Sequence, residues 1–106
     1  MEKVRVIIKR PDEEIGHVTN ISPSLENLQR TVEGYVEAVR LCDDLWILCN
    51  EEGLLKGLPY NCRIAGIDFY GDIIFIGSKG EGFADLTMSF ADYKRYVLGR
   101  TEENDS

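Results

Sequence analysis

Histidine is nearly absent from this chain: His17 is the sole one in 106 residues, and the three cysteines include no Cys-x-x-Cys pair. Structural zinc sites draw four nitrogen or sulfur ligands at close spacing, whereas Cys42, Cys49 and Cys62 stand 7 and 13 residues apart. The pattern argues for free thiols in a reducing compartment rather than for a metal centre. A Gly-x-Ser-x-Gly elbow is missing too, and Gly77, Gly80 and Gly82 do not have the spacing of a nucleotide fingerprint. No apolar run approaches the roughly 20 residues of a membrane helix. The first residues, Met1-Glu2-Lys3-Val4-Arg5, lack the apolar centre of a signal peptide, so a cytoplasmic protein without cofactor is expected.

Basic residues are also in short supply, 12 against 19 acids, for a net charge of −7. Three of those charges lie in the last six residues, Thr101-Glu102-Glu103-Asn104-Asp105-Ser106, which leaves −4 on the remainder. A negative body repels phosphate backbones and anionic headgroups, so neither direct nucleic-acid binding nor a membrane partner is expected. With 43% apolar and 29% charged residues the composition is that of a folded domain, and neither a repeat nor a long linker divides it.

What is present reads as alternating short elements. Val4, Val6 and Ile8 alternate with Arg5, Ile7 and Lys9 as a strand, and a polar turn at Pro11-Asp12 leads to a second strand over 15–21, making a hairpin. His17 reads as an exposed strand residue with no acidic partner close in sequence. Ser22-Pro23-Ser24 opens a helix, with either serine as cap and Pro23 in its first turn. Leu25, Leu28, Val32 and Tyr35 form its stripe, and Gly34 stops it. A strand over 35–41, an acidic turn at Asp43-Asp44 and the continuous apolar run Leu45–Cys49 follow; such a run suits a central strand covered on both faces. Residues 50–61, with Gly53, Gly57 and Pro59, form a connector whose Leu54, Leu55 and Leu58 are expected to pack back on the core. Residues 63–67 read as a short strand and 72–77 as the clearest strand of all. Thr87 or Ser89 caps a last helix carrying Phe90, Tyr93 and Val97, ended by Gly99. The expected fold is α+β: one domain over residues 1–100 with a mostly antiparallel sheet of about five or six strands and two helices, then a disordered acidic tail over 101–106.

Four stretches carry a family likeness: Gly34-Tyr35-Val36-Glu37, Cys49-Asn50-Glu51-Glu52-Gly53, Gly57-Leu58-Pro59-Tyr60-Asn61, and Gly71 through Gly77. Together they resemble the family of small proteins known as domain of unknown function DUF3846, over nearly the whole chain. Glu33-Gly34 departs from the two glycines the family pattern leads one to expect, which puts the end of the first helix in question. The resemblance implies a setting in phages and other mobile elements of bacteria and no activity at named positions. Small proteins of that setting often inhibit host factors or defences, which is an analogy of company rather than of chemistry.

Three functional classes can be set against these residues. Catalysis lacks a constellation, because adjacent acids in turns are normally solvated and neighbours on a strand face opposite ways. A protein antagonist, binding a host protein, would use the acids Asp43, Asp44, Glu51 and Glu52 with Tyr60 as an aromatic anchor. Asp12, Glu13, Glu14, Phe69, Tyr70 and Trp46 are further candidates, Trp46 more readily a core residue. A small-molecule sponge, binding for example a nucleotide signal at a loop-lined pocket or between subunits, would use Asn50, Asn61, Arg63, Tyr70 and Lys79. It would need cations converging on one pocket, and self-association stays open. The connector 50–61 is a piece of backbone geometry and the first place to look for function, since loops on a rigid scaffold carry binding.

Overall fold

Two runs of isoleucine-rich sequence make the middle of the sheet. The computed structural model describes residues 2–98. Its strands are β1 (Val4–Lys9), β2 (His17–Ile21), β3 (Val36–Cys42), β4 (Leu45–Asn50), β5 (Tyr60–Ile64), β6 (Ile67–Tyr70), β7 (Ile73–Lys79) and β8 (Gly82–Ala84). Helix α1 spans Leu25–Val32, and α2 (Phe90–Asp92) runs into a π-helical segment, Tyr93–Leu98. Six strands form one antiparallel sheet in the order β2-β1-β7-β4-β3, with β8 on the last residues of β7; β5 and β6 form a separate hairpin. The α+β class and the antiparallel sheet are as expected. The acidic tail and Gly99 lie outside the described residues.

Strand β7 is central because both of its faces are apolar. Ile73 and Phe75 enter one buried cluster, Ile74 and Ile76 the other, the period-2 alternation of a strand covered on both sides. Each such side chain contributes about 1.5–3 kcal/mol on burial. Leu28 and Val32 of α1 close one face of the sheet. On the other face lie Ile64 and Phe69 of the small hairpin, with Leu86, Tyr93 and Val97 from the C-terminal segment. Phe75 and Tyr93 meet edge to face at 4.9 Å, and Tyr93 donates its hydroxyl to Ile15 O.

Several local readings need correction. Ser24 caps α1, accepting from the Asn27 N–H at 3.2 Å, so Pro23 precedes the cap instead of entering the first turn. Of the four-residue stripe only Leu28 and Val32 are buried: Leu25 sits at the first helical position and Tyr35 lies past the end of an eight-residue helix. The left-handed end residue is Glu33 (φ 63°), not Gly34. Gly34 is there for space, since a Cβ would come within 2.7 Å of Asn50 Nδ2 and 2.9 Å of Lys56 Nζ. Residues 60–70 hold two strands where one short strand was expected, joined at Ala65-Gly66, both with positive φ (52° and 80°) as a type I′ hairpin turn requires. Ser89, not Thr87, caps α2, accepting from the Asp92 N–H.

Candidate functional site

The connector after β4 is shaped from its first residue. Asn50 is buried at the end of β4 and turns its amide inward: Nδ2 donates to Val32 O at 2.9 Å, satisfying the end of α1, and Oδ1 accepts from the Glu52 N–H at 2.7 Å. Overlapping turns follow, with Lys56 N–H to Glu52 O and Leu58 N–H to Gly53 O. Gly53 is buried against β6, where a Cβ would stand 3.1 Å from Tyr70 Cβ and Tyr70 O. The loop is thus pinned at Asn50 and Gly53, and at its far end by the Gly71 N–H on Pro59 O, while its tip stands in solvent. Leu54 and Leu55 are 67% and 85% exposed instead of packed on the core, and Leu58 is half-buried.

Between this loop, β3 and β6 runs a groove of about 360 Å³. Val39, Leu54, Ile67 and Phe69 give it apolar walls, and Glu37, Glu51 and Asp68 bring three carboxylates to it; no lysine or arginine of the described residues lines it. Asp68 is already engaged, accepting from the Tyr60 hydroxyl at 3.0 Å and lying 3.5 Å from Arg63 Nη1. Glu37 and Glu51 form no ion pair among the described residues. Beneath Glu37 the Cys49 thiol is pushed up to about 11, by burial first and by the Glu37 carboxylate second, so it stays protonated and inert. Burial, then the hydrogen bond and charge of Asp68, raise the Tyr60 phenol.

The candidate protein contacts divide. Glu51 lines the groove, Glu52 stands exposed on the same loop, and Tyr60 sits beside it, edge-on to Tyr70 at 5.4 Å. Asp43 and Asp44 occupy the β3–β4 turn at the far end of β4, five residues or about 17 Å away at strand rise. There Asp43 pairs with Arg40, and its carbonyl accepts from Ser78 Oγ.

The candidate ligand set is not brought together. Tyr70 and Asn50 line the groove, but the Asn50 amide is committed to α1. Asn61 is buried: its Oδ1 accepts from Lys9 Nζ at 2.8 Å and its Nδ2 donates to Lys9 O and Gly71 O. Lys79 is at the β7–β8 end, six residues or about 20 Å along β7 from Ile73, which pairs with Lys9. Two cations, Lys3 and Arg30, do share a separate polar depression near α1, and neither belongs to the expected set.

His17, read as lacking an acidic partner, has one: Glu13 Oε2 lies 2.8 Å from its Nδ1. The β1–β2 turn folds Glu13 back. Burial raises the Glu13 carboxyl, but the hydrogen bonds from His17 and the Arg10 N–H, with their charges, outweigh it and hold the group below its usual range. Among the described residues no cluster of His, Cys, Asp and Glu has the grouping of a metal site, and no helix is long and apolar enough to cross a membrane. Sequence reasoning missed Glu37, Val39, Ile67 and Asp68. The available signal was an acid alternating with Val39 and Leu41 on the core side of β3.

A family model, Domain of unknown function (DUF3846), matches residues 4–98, which spans every element just described. The chain belongs to the DUF3846 family. Within the matched span the stretch Gly57-Leu58-Pro59-Tyr60-Asn61 ends on the buried Asn61, and Cys49-Asn50-Glu51-Glu52-Gly53 carries both the amide that closes the end of α1 and the rim of the groove. No curated protein and no solved structure matches the chain.

Proposed function

We propose that this protein acts by binding another protein through the groove between β3, the 51–58 loop and β6. One observation carries the reading: an apolar trough bordered by the carboxylates Glu37 and Glu51, which among the described residues have no ion-pair partner and no cation beside them in the lining. Apolar walls supply affinity and unpaired acids select a basic partner and speed its approach. Exposed Leu54 and Leu55 extend the same apolar surface at the loop tip. A sponge for an anionic small molecule would need the opposite arrangement, cations converging on a pocket, and Arg63 and Lys79 stand on different hairpins. The accessory role implied by the mobile-element resemblance fits a binder better than an enzyme. On that basis the partner is a host protein, of which a defence component is the leading class, met in the bacterial cytoplasm.

The test is affinity capture from bacterial lysates by wild type and by Glu37→Lys/Glu51→Lys in parallel. The reading expects a basic protein retained by wild type and lost by the variant. Equal retention by both would remove the groove from the function. A bound mass of a few hundred daltons, released on unfolding, would move the protein to the sponge class.

A further inference from the structure

Strand β3 ends the sheet order, and among the described residues no strand pairs with its other edge. The Glu51 N–H bonds to Tyr35 O at 2.8 Å, which makes 35↔51 a hydrogen-bonded pair of the β3–β4 ladder. Antiparallel pairs alternate, and the register runs Val36↔Asn50, Glu37↔Cys49, Ala38↔Leu48, Val39↔Ile47, Arg40↔Trp46. Glu37 and Val39 therefore spend their main-chain groups on β4, while Val36, Ala38 and Arg40 aim theirs away from the sheet. The register shift between Arg40 and Cys42 ends this usable edge. Glu37 and Val39, on the same strand, line the groove. A strand added at the edge would lie about 4.8 Å from β3, and every second side chain of it would face the groove.

We propose that the partner engages as an extended basic segment that adds a strand to β3 and sets alternating basic and apolar side chains into the groove. This rests on the binding reading above and specifies its mode. Charge selects a foreign strand over a second copy of this chain. In a two-fold antiparallel β3–β3 pairing the two groove-side faces coincide, so the copy would present its own Glu37, Val39 and Leu41 to the acids, with Arg40 on the other face. The opposite edge strand, β2, is His-Val-Thr-Asn-Ile and carries neither lysine nor arginine. An incoming strand with arginine opposite Glu37 and valine opposite Val39 satisfies both the charge and the walls, and main-chain hydrogen bonds supply the register.

The probe is the synthetic peptide Thr-Arg-Thr-Val-Thr-Arg-Thr, titrated into the isotope-labelled protein, beside a copy N-methylated at alternate residues. The proposal expects amide exchange at Val36, Ala38 and Arg40 to slow at least about tenfold on binding. It expects N-methylation to weaken binding by about tenfold or more, and Glu37→Lys or Glu51→Lys by about fivefold. Equal binding of the N-methylated peptide, with the charge reversals still harmful, would overturn strand addition and leave the groove reading standing. No binding, or binding that ignores Glu37→Lys and Glu51→Lys, would overturn both. Protection of the same amides by raising the protein concentration alone would make a second copy the occupant, and so overturn the foreign strand.

Discussion

Asn61→Ala should show that this residue is structural. Its side chain joins three places: Oδ1 accepts from Lys9 Nζ, and Nδ2 donates to Lys9 O and Gly71 O, all within 2.7–2.8 Å. Asn61 ties β5 to the end of β1 and to the residues before β7, and Lys9 is only 4% exposed. Three hydrogen bonds at about 1 kcal/mol each set a loss of about 3 kcal/mol. Orphaning Nζ and two carbonyls where water enters poorly adds to this, so the expected cost is about 3–4 kcal/mol. In a domain of this size that lowers Tm by about 12–32 °C. The assay is urea unfolding followed by Trp46 fluorescence and far-UV circular dichroism. Adding Lys9→Met to the variant removes the stranded amine and should recover about 1–2 kcal/mol, a coupling a mere cavity would not show. If Asn61→Ala stays within about 1 kcal/mol of wild type, these bonds do not hold the hairpin and Asn61 returns to the ligand candidates.

Other perturbations follow from the same geometry. Gly77→Ala puts a Cβ 2.2 Å from Asp85 O, a main-chain clash no rotamer relieves; calorimetry should show a loss at or above the roughly 3 kcal/mol upper end of ordinary overpacking, and a smaller one would mean β8 shifts freely. Glu33→Gly relieves a left-handed residue at φ 63° and should stabilise by about 1 kcal/mol, raising Tm by about 4–8 °C; an unchanged or lower Tm would refute the strain. Burial raises the Asp72 carboxyl above its ordinary 3.8, Arg10 opposing and Glu33, Asp12 and Glu13 adding. Folded Asp72 then holds a proton that the unfolded chain has released, so its contribution is present below 3.8 and lost as pH rises through the raised value. As pH rises from below 3.8 through the raised value, the urea midpoint of wild type should fall relative to Asp72→Asn; parallel curves would contradict the shift.

The sheet was legible because its signals are periodic and its partners local. Alternation marked β1, the unbroken apolar run marked β4 as a central strand covered on both faces, and the isoleucine-rich run marked β7 as the clearest strand; that β7 too is covered on both faces is a finding of the structure. Hairpin β1–β2 joins neighbours in sequence, so its turn residues sufficed to pair it, and the Asp43-Asp44 turn marked where β3 gives way to β4, with which the structure pairs it. The 60–70 hairpin was read short because its turn is Ala65-Gly66, and alanine rarely takes a positive φ. The end of α1 was misplaced for a related reason. Glycine signals a left-handed cap in sequence, but at Gly34 it answers crowding from Asn50 and Lys56, a contact made across the fold. Leu54 and Leu55 broke the rule that leucines go inward, and their exposure could only be seen once the loop was pinned at Asn50 and Gly53.

The candidate site was half legible, and the division has one cause. Composition counts charges, but which acids are free is decided by where the arginines fall. Arg40 reaches Asp43, Arg63 reaches Asp68 and Arg10 reaches Asp72, each across a turn or between strands. Exposed pairs of this kind add little stability, yet they blunt the field of each acid they hold. Glu37 and Glu51 share a groove that no lysine or arginine of the described residues lines, although β3 places one and the loop after β4 the other. Their 37↔49 and 35↔51 registers bring them to the same end of the ladder, which no spacing along the chain announces. Asn50 and Asn61 show the converse. Both stand in a turn-rich stretch and offer amides that suit a ligand, and the fold consumes both in closing its own main chain. A polar residue is available for binding only after the fold has met its own needs, so the proposal rests on Glu37 and Glu51, which stand unpaired among the described residues beside apolar walls, and not on Asn50 or Asn61.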